Sequence, residues 1–142
     1  SKRLCTEPLV YLTHRNAPLA KKKALSILDL RDQTLLLPKH DCGYRMSLEQ
    51  TLREAAVEVA AIIEINSLSA IIQCLATGLG VALLPQKIAQ STMGSDNLIA
   101  LDWSHPLETG LHILRHKSRV LSDTLLTFVD TVESCFKEMP SQ

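Results

Sequence analysis

The stretch Glu64-Ile65-Asn66-Ser67-Leu68-Ser69-Ala70-Ile71-Ile72-Gln73-Cys74-Leu75-Ala76-Thr77-Gly78-Leu79-Gly80-Val81-Ala82-Leu83-Leu84-Pro85 decides how the rest of the chain is read. It spells a strand, a capped helix, a glycine break and a second buried strand, with almost no spare residues. Asn66 or Ser67 supplies the helix cap, and Leu68, Ile71, Ile72 and Leu75 recur at helical spacing as a buried stripe. Gly78 stands where a left-handed residue closes a helix. Val81 to Leu84 is an apolar run of the kind a buried parallel strand needs. The sum is a βαβ crossover whose helix starts at the carboxyl end of a strand. Open α/β sheets bind small ligands at that edge, and the unpaired N–H groups of a helix start suit an anion.

Outward from this unit the same alternation continues. Pro8 to Arg15 reads as a strand ended by the turn Asn16-Ala17-Pro18, and Ile27 to Leu30 as a short helical piece. Thr34 to Leu37 is a brief buried strand, and Pro38 to Arg45 a polar loop. Ser47-Leu48-Glu49-Gln50 has the capping-box pattern of a helix start, followed by Leu48, Leu52, Ala55 and Ala56 on one face. Val59 to Ile65 is the next strand. Gln86 to Gln90 reads as a short helix, Ser91 to Asn97 as a loop around Gly94, and Leu98 to Trp103 and Leu111 to His116 as strands. Ser122 caps a last helix with Leu125, Phe128, Val129, Val132 and Phe136 at helical spacing. Strands alternating with amphipathic helices mean an α/β fold, mostly parallel.

Composition narrows the function. The 142 residues are 46% hydrophobic, enough for a buried core. Lys+Arg and Asp+Glu are both 15, and Lys21-Lys22-Lys23 is the one basic run, so no DNA-reading face is expected on this chain. No apolar run has the length of a membrane span, and no signal peptide precedes the first strand. Cys5, Cys42, Cys74 and Cys135 lack metal or redox spacing, which favours free thiols and a cytoplasmic protein without a metal or cofactor. His112 and His116, four apart on a strand, stand too far from each other to share a metal. No nucleophile elbow, phosphate-binding glycine loop or zinc-protease motif is present, so an enzyme is not expected.

These motifs resemble the effector-binding domain of LysR-type transcriptional regulators. Glu64, Ser67, Leu68, Ala70, Ile71, Cys74, Ala76, Gly78, Gly80, Ala82, Leu83, Leu84 and Pro85 fit that family's E-x-x-S-L-x-A-I pattern with its glycine break and following strand. Glu7-Pro8-Leu9-Val10 with Ala17-Pro18-Leu19-Ala20, and Asp41-Cys42-Gly43-Tyr44-Arg45 after Leu36-Leu37-Pro38, match two more of its segments. The resemblance implies two Rossmann-like subdomains of the periplasmic-binding-protein-like type II fold, with a small effector between them. Residues 1–85 would form the second subdomain with its crossover strands, and residues 86–142 the C-terminal part of the first. The crossings would fall near Cys5 to Leu12 and Gly80 to Pro85. DNA would be met only through an N-terminal winged helix-turn-helix not in this chain, and the protein would be a homo-oligomer, a dimer as its simplest form, with no membrane contact. Apolar surface between Leu98 and Phe136 would then lie uncovered.

The resemblance also places candidate effector contacts. Asn66 and Ser67 stand at the strand-to-helix junction, with a plain N-cap as the alternative. On the Lys39 to Arg45 loop, Arg45 can grip a carboxylate or bond to the following helix. Tyr44 can form an aromatic wall. Cys42 is a ligand-lining thiol or, as in peroxide-sensing relatives, a reactive one. Gly80 and Val81 lie on the returning strand, where close packing explains them equally, and Thr13 closes the first strand. A periplasmic-type solute-binding protein is the competing reading from another class.

Overall fold

The computed structural model describes residues 1–93, 97–105, 107–116, 118 and 122–138. The turn expected around Gly94 and Pro106 of the later connection lie outside the described residues. Strands β1 (Lys2–His14), β2 (Thr34–Leu37), β3 (Ala61–Glu64), β4 (Val81–Pro85), β5 (Leu98–Ala100) and β6 (Leu107–Ile113) alternate with helices α1 (Gly43–Glu54), α2 (Leu68–Ala76), α3 (Gln86–Thr92) and α4 (Asp123–Glu138). Two 3-10 turns, Pro18–Lys21 and Ile27–Leu30, join β1 to β2.

The chain divides into two compact units, residues 8–108 and residues 1–7 with 109–142. In the larger unit the strand order is β3-β2-β4-β1-β5. β2 runs parallel to β3 and to β4, while β1 runs antiparallel to β4 and β5. The apolar runs are continuous because both faces are covered, and the two-residue period of a strand sorts them. Tyr11, Leu35, Leu37, Val81 and Leu83 face one side with Leu48 and Leu52 of α1. Leu12, Leu36, Ala82 and Leu84 face the other with Ile71 and Leu75 of α2 and Ala89 of α3.

Several expected boundaries move. β1 starts at Lys2, six residues before Pro8, and β3 is confined to Ala61–Glu64. Helix α1 opens at Gly43 instead of Ser47, so the capping-box serine is interior and its carbonyl accepts from Thr51 Oγ1 at 3.0 Å. The reason is tertiary: Tyr44 packs on the core and Arg45 is buried, so the first turn is held by packing and not by a side-chain cap. β5 ends at Ala100, with Trp103 reduced to a single bridge to Leu25. The sheet is mixed, not mostly parallel, because β1 enters antiparallel. Residues 86–108 stay in the larger unit, where Leu98 and Ala89 share a cluster with Leu12 and the Leu101 amide donates to the Tyr11 carbonyl at 2.8 Å. The division into compact units therefore falls within β1 and within β6. In the smaller unit β6 pairs β1, and α4 follows Ser122, whose Oγ accepts from the Leu125 amide at 3.4 Å. Leu125, Val129, Val132 and Phe136 are half-buried there, whereas Phe128 is exposed.

Tyr11 carries a testable consequence. It is 1% exposed and stacks on Trp103 with ring centroids 3.9 Å apart, and its hydroxyl has no hydrogen-bond partner among the described residues. Burial raises its pKa far above the ordinary tyrosine value. The unfolded phenol ionises near pH 10 while the folded one keeps its proton, so stability is lost as pH rises past that point. The free energy of unfolding should fall by about 1.4 kcal/mol per pH unit from this group. Tyr11→Phe should remove that slope and, by deleting an unsatisfied hydroxyl, be neutral or stabilising by about 1 kcal/mol at pH 7. Urea unfolding from about pH 8 to about pH 11 reads both effects; an unchanged alkaline slope in the variant contradicts the burial argument.

Candidate functional site

β2 and β3 are parallel neighbours that end together, Leu37 beside Glu64, with the Ile65 amide donating to the Leu37 carbonyl at 2.9 Å. Each then turns directly into a helix. After β2 the chain passes Pro38 to Cys42 and starts α1; after β3 it passes Asn66 and Ser67 and starts α2. Parallel strands make this inevitable, because each crossover helix must begin where its strand stops. Two helix N-termini thus open side by side at one sheet edge.

Ser67 is the N-cap of α2. Its Oγ accepts from the Ala70 amide at 3.4 Å and lies 2.9 Å from Ser69 Oγ. Asn66 beside it is exposed. Cys42 holds the N-cap position of α1 without a side-chain capping bond, and its carbonyl accepts from the Met46 amide at 3.0 Å. The Tyr44 phenol is pushed up to about 12, first by burial and then by the neighbouring Cys42 side chain. Cys42 is a free thiol, and Cys74 packs with the cluster under α2, on the sheet face opposite α1. The two cysteines therefore do not form an internal redox pair.

Arg45 is 8% exposed and fully engaged in tying the edge together. Nε donates to Glu49 Oε1 at 2.7 Å, and Nη1 donates to Glu64 Oε2 at 2.8 Å and to the Pro38 carbonyl. Burial pulls its pKa down, but the bonds to Glu49 and Glu64 outweigh that and hold it above the usual value. One guanidinium meets two carboxylates here, so its charge is already matched. Of the two expected uses of Arg45, the structure displays the bond to its own helix, extended to β3.

The expected contacts do not all meet. Cys42, Tyr44, Arg45, Asn66 and Ser67 share the edge just described. Thr13, Gly80 and Val81 lie at the other end of the sheet: Val81 pairs Thr13, whereas Pro85, at the carboxyl end of β4, pairs Leu9. Val81 also pairs Leu35, two residues before Leu37 where β2 ends, so it lies about 7 Å along the strand from the level of that edge. Thr13 is 1% exposed and its hydroxyl donates to the Gly80 carbonyl at 3.0 Å. Glu64 and Glu49 were not anticipated as part of the edge. The spacing of Arg45 and Glu49 (i, i+4) was legible, whereas Glu64 meets Arg45 only through sheet order. Among the described residues no group of three or more His, Cys, Asp or Glu is placed to hold a metal, and no helix is long and apolar enough to cross a membrane.

Comparison with known proteins fits this geometry. The family described as LysR substrate binding domain matches residues 1–136. The chain is 32% identical over 124 residues to the HTH-type transcriptional activator CmpR of Synechocystis sp. (strain ATCC 27184 / PCC 6803 / Kazusa), an alignment covering 87% of this chain and 41% of CmpR. It is 28% identical over 113 residues to the uncharacterized HTH-type transcriptional regulator YwqM of Bacillus subtilis (strain 168), covering 80% of this chain and 38% of YwqM. The regulatory domain of Synechocystis PCC6803 CcmR, solved in complex with 2-PG, superposes with a TM-score of 0.87 at 27% identity, over 99% of this chain and 68% of that one. The architecture is accordingly the periplasmic-binding-protein-like type II fold of such regulatory domains. The chain spans roughly two-fifths of the length of the curated relatives it matches.

Proposed function

The chain belongs to the LysR substrate-binding domain family, and from that premise we propose that it senses a small anionic effector at the edge where β2 and β3 end. The observation that carries this reading is the pair of helix N-termini, α1 and α2, opening side by side there. Their free N–H groups, with Ser67 Oγ and the Asn66 amide, hold the negative group of the effector. Tyr44 and Cys42 line the approach. Arg45 positions the loop and does not grip the ligand, because Glu49 and Glu64 already match its charge.

The wider role follows from the family. β1 carries the chain across the division between residues 7 and 8. An effector that binds one arrangement of the two units better than another shifts their angle and passes that change to a DNA-binding domain outside this chain. The full-length regulator works as a cytoplasmic homo-oligomer.

The test uses 2-PG, the molecule found with CcmR, and a panel of small organic acids, followed by calorimetry. Ser67→Gly removes the hydroxyl at a cap cost of only a few tenths of a kcal/mol. Combined with Asn66→Ala, it should weaken binding about tenfold, the scale of one hydrogen bond to a charged group. An acid that binds the double variant as tightly as the parent removes this edge from consideration.

A further inference from the structure

Thr13 and Gly80, expected at the effector edge, belong to a different concavity. At the opposite end of the sheet in the larger unit, the end of β1, the approach to β2 and the α2–β4 link enclose about 410 Å³. That volume lies at the lower end of the range for small-molecule pockets. The floor is backbone. Gly80 passes so close to Thr34 that any side chain would overlap the Thr34 carbonyl, and Thr13 is bonded to Gly80 beneath.

The walls combine Ala17, Pro18 and Leu79 with polar side chains that are mostly uncommitted. His14 Nδ1 accepts from the Asn16 amide at 3.1 Å. A ring nitrogen that accepts carries no proton, so neutral His14 presents Nε2–H as a donor. The carboxylate of Asp32 and the side-chain amides of Asn16 and Gln33 have no hydrogen bond to another described residue, although all three line the pocket. Asp32 is the one acidic group in the lining, and no lysine or arginine shares it. Asp32 also holds φ at +60°, a left-handed conformation fixed by its amide donating to the Glu58 carbonyl at 3.1 Å.

We propose that this concavity is a second ligand site, separate from the effector edge, that takes a small primary amine bearing a hydroxyl or carboxylate. The ammonium group pairs with Asp32, the lone formal charge. The oxygen function of the ligand accepts from His14 Nε2–H and the amides of Asn16 and Gln33. An amine is required because a carboxylate alone meets Asp32 with like charge, while an amine without an oxygen function leaves the donors unanswered.

Ethanolamine and glycine are the probes, with acetate as the control, added to the ¹⁵N-labelled chain. Both amines should produce saturable shifts at the amides of residues 13–16, 32–34 and 78–80, and acetate should not. Asp32→Asn keeps a residue that tolerates positive φ and removes the charge, and it should weaken both amines about tenfold. Asp32→Gly serves the same purpose should the asparagine retain the ligand through its amide oxygen. The proposal is overturned by amines that give no saturable shift, by acetate shifting the same amides, by shifts centred on Asn66 and Ser67, or by both Asp32 variants binding like the parent.

Discussion

Arg45→Ala is expected to lower the free energy of unfolding by about 2–3 kcal/mol. Removing one partner of a buried ion pair costs about 3–5 kcal/mol because the other charge is left without compensation. Here Glu64 keeps 41% of its side chain exposed, so solvent screens part of the loss and the lower figure applies. The change also strips a donor from the Pro38 carbonyl and leaves Glu49 and Glu64 with no cation between them. Because these groups belong to α1, to the loop before it and to β3, the edge itself should loosen. Amide exchange should accelerate across Lys39 to Tyr44 and at Asn66 and Ser67 as global stability falls. A urea midpoint within experimental error of the parent would show that Arg45 is not the bracket described.

Gly80→Ala is expected to cost about 3 kcal/mol, at the upper end of what an added methyl does in a packed interior. The new Cβ would overlap the Thr34 carbonyl oxygen and come within 3.0 Å of its carbon. Neither atom belongs to a flexible side chain, so relief requires moving β2 away from β4 where Leu35 pairs Val81. Gly43→Ala is the internal control. It sits in the first turn of α1 with nothing within 4 Å of its would-be Cβ, so it should be neutral or stabilising by about 0.5–1 kcal/mol through helix propensity. Equal stabilities for the two alanine variants would contradict the close approach of β4 to β2.

Much of this architecture is legible before any coordinates. The Leu35–Leu37 and Val81–Leu84 runs have no polar alternation, which requires cover on both faces, and the clusters beneath α1 and beneath α2 and α3 supply it. Ser67 as cap and Gly78 at φ +81° follow from local chemistry, a hydroxyl within reach of an amide two or three residues on and a backbone without Cβ. The start of α1 misleads because a strong capping box at Ser47 competes with packing at Tyr44 and Arg45, and packing wins.

The sequence by itself determined the alternation of strands and helices, the cap of α2 and the family, since each rests on periods and bonds within a few residues of chain. Which candidate residues meet was decided only by the tertiary structure. Asn66 and Cys42 follow strands that end at one edge because β3 lies beside β2 and parallel to it, and Glu64 reaches Arg45 for the same reason. Gly80 falls at the far end because it precedes β4, which runs parallel to β2, and Thr13 joins it because β1 enters antiparallel to β4, which sets Thr13 against Val81. Strand order and direction arise from contacts between segments tens of residues apart, and local spacing carries no record of them.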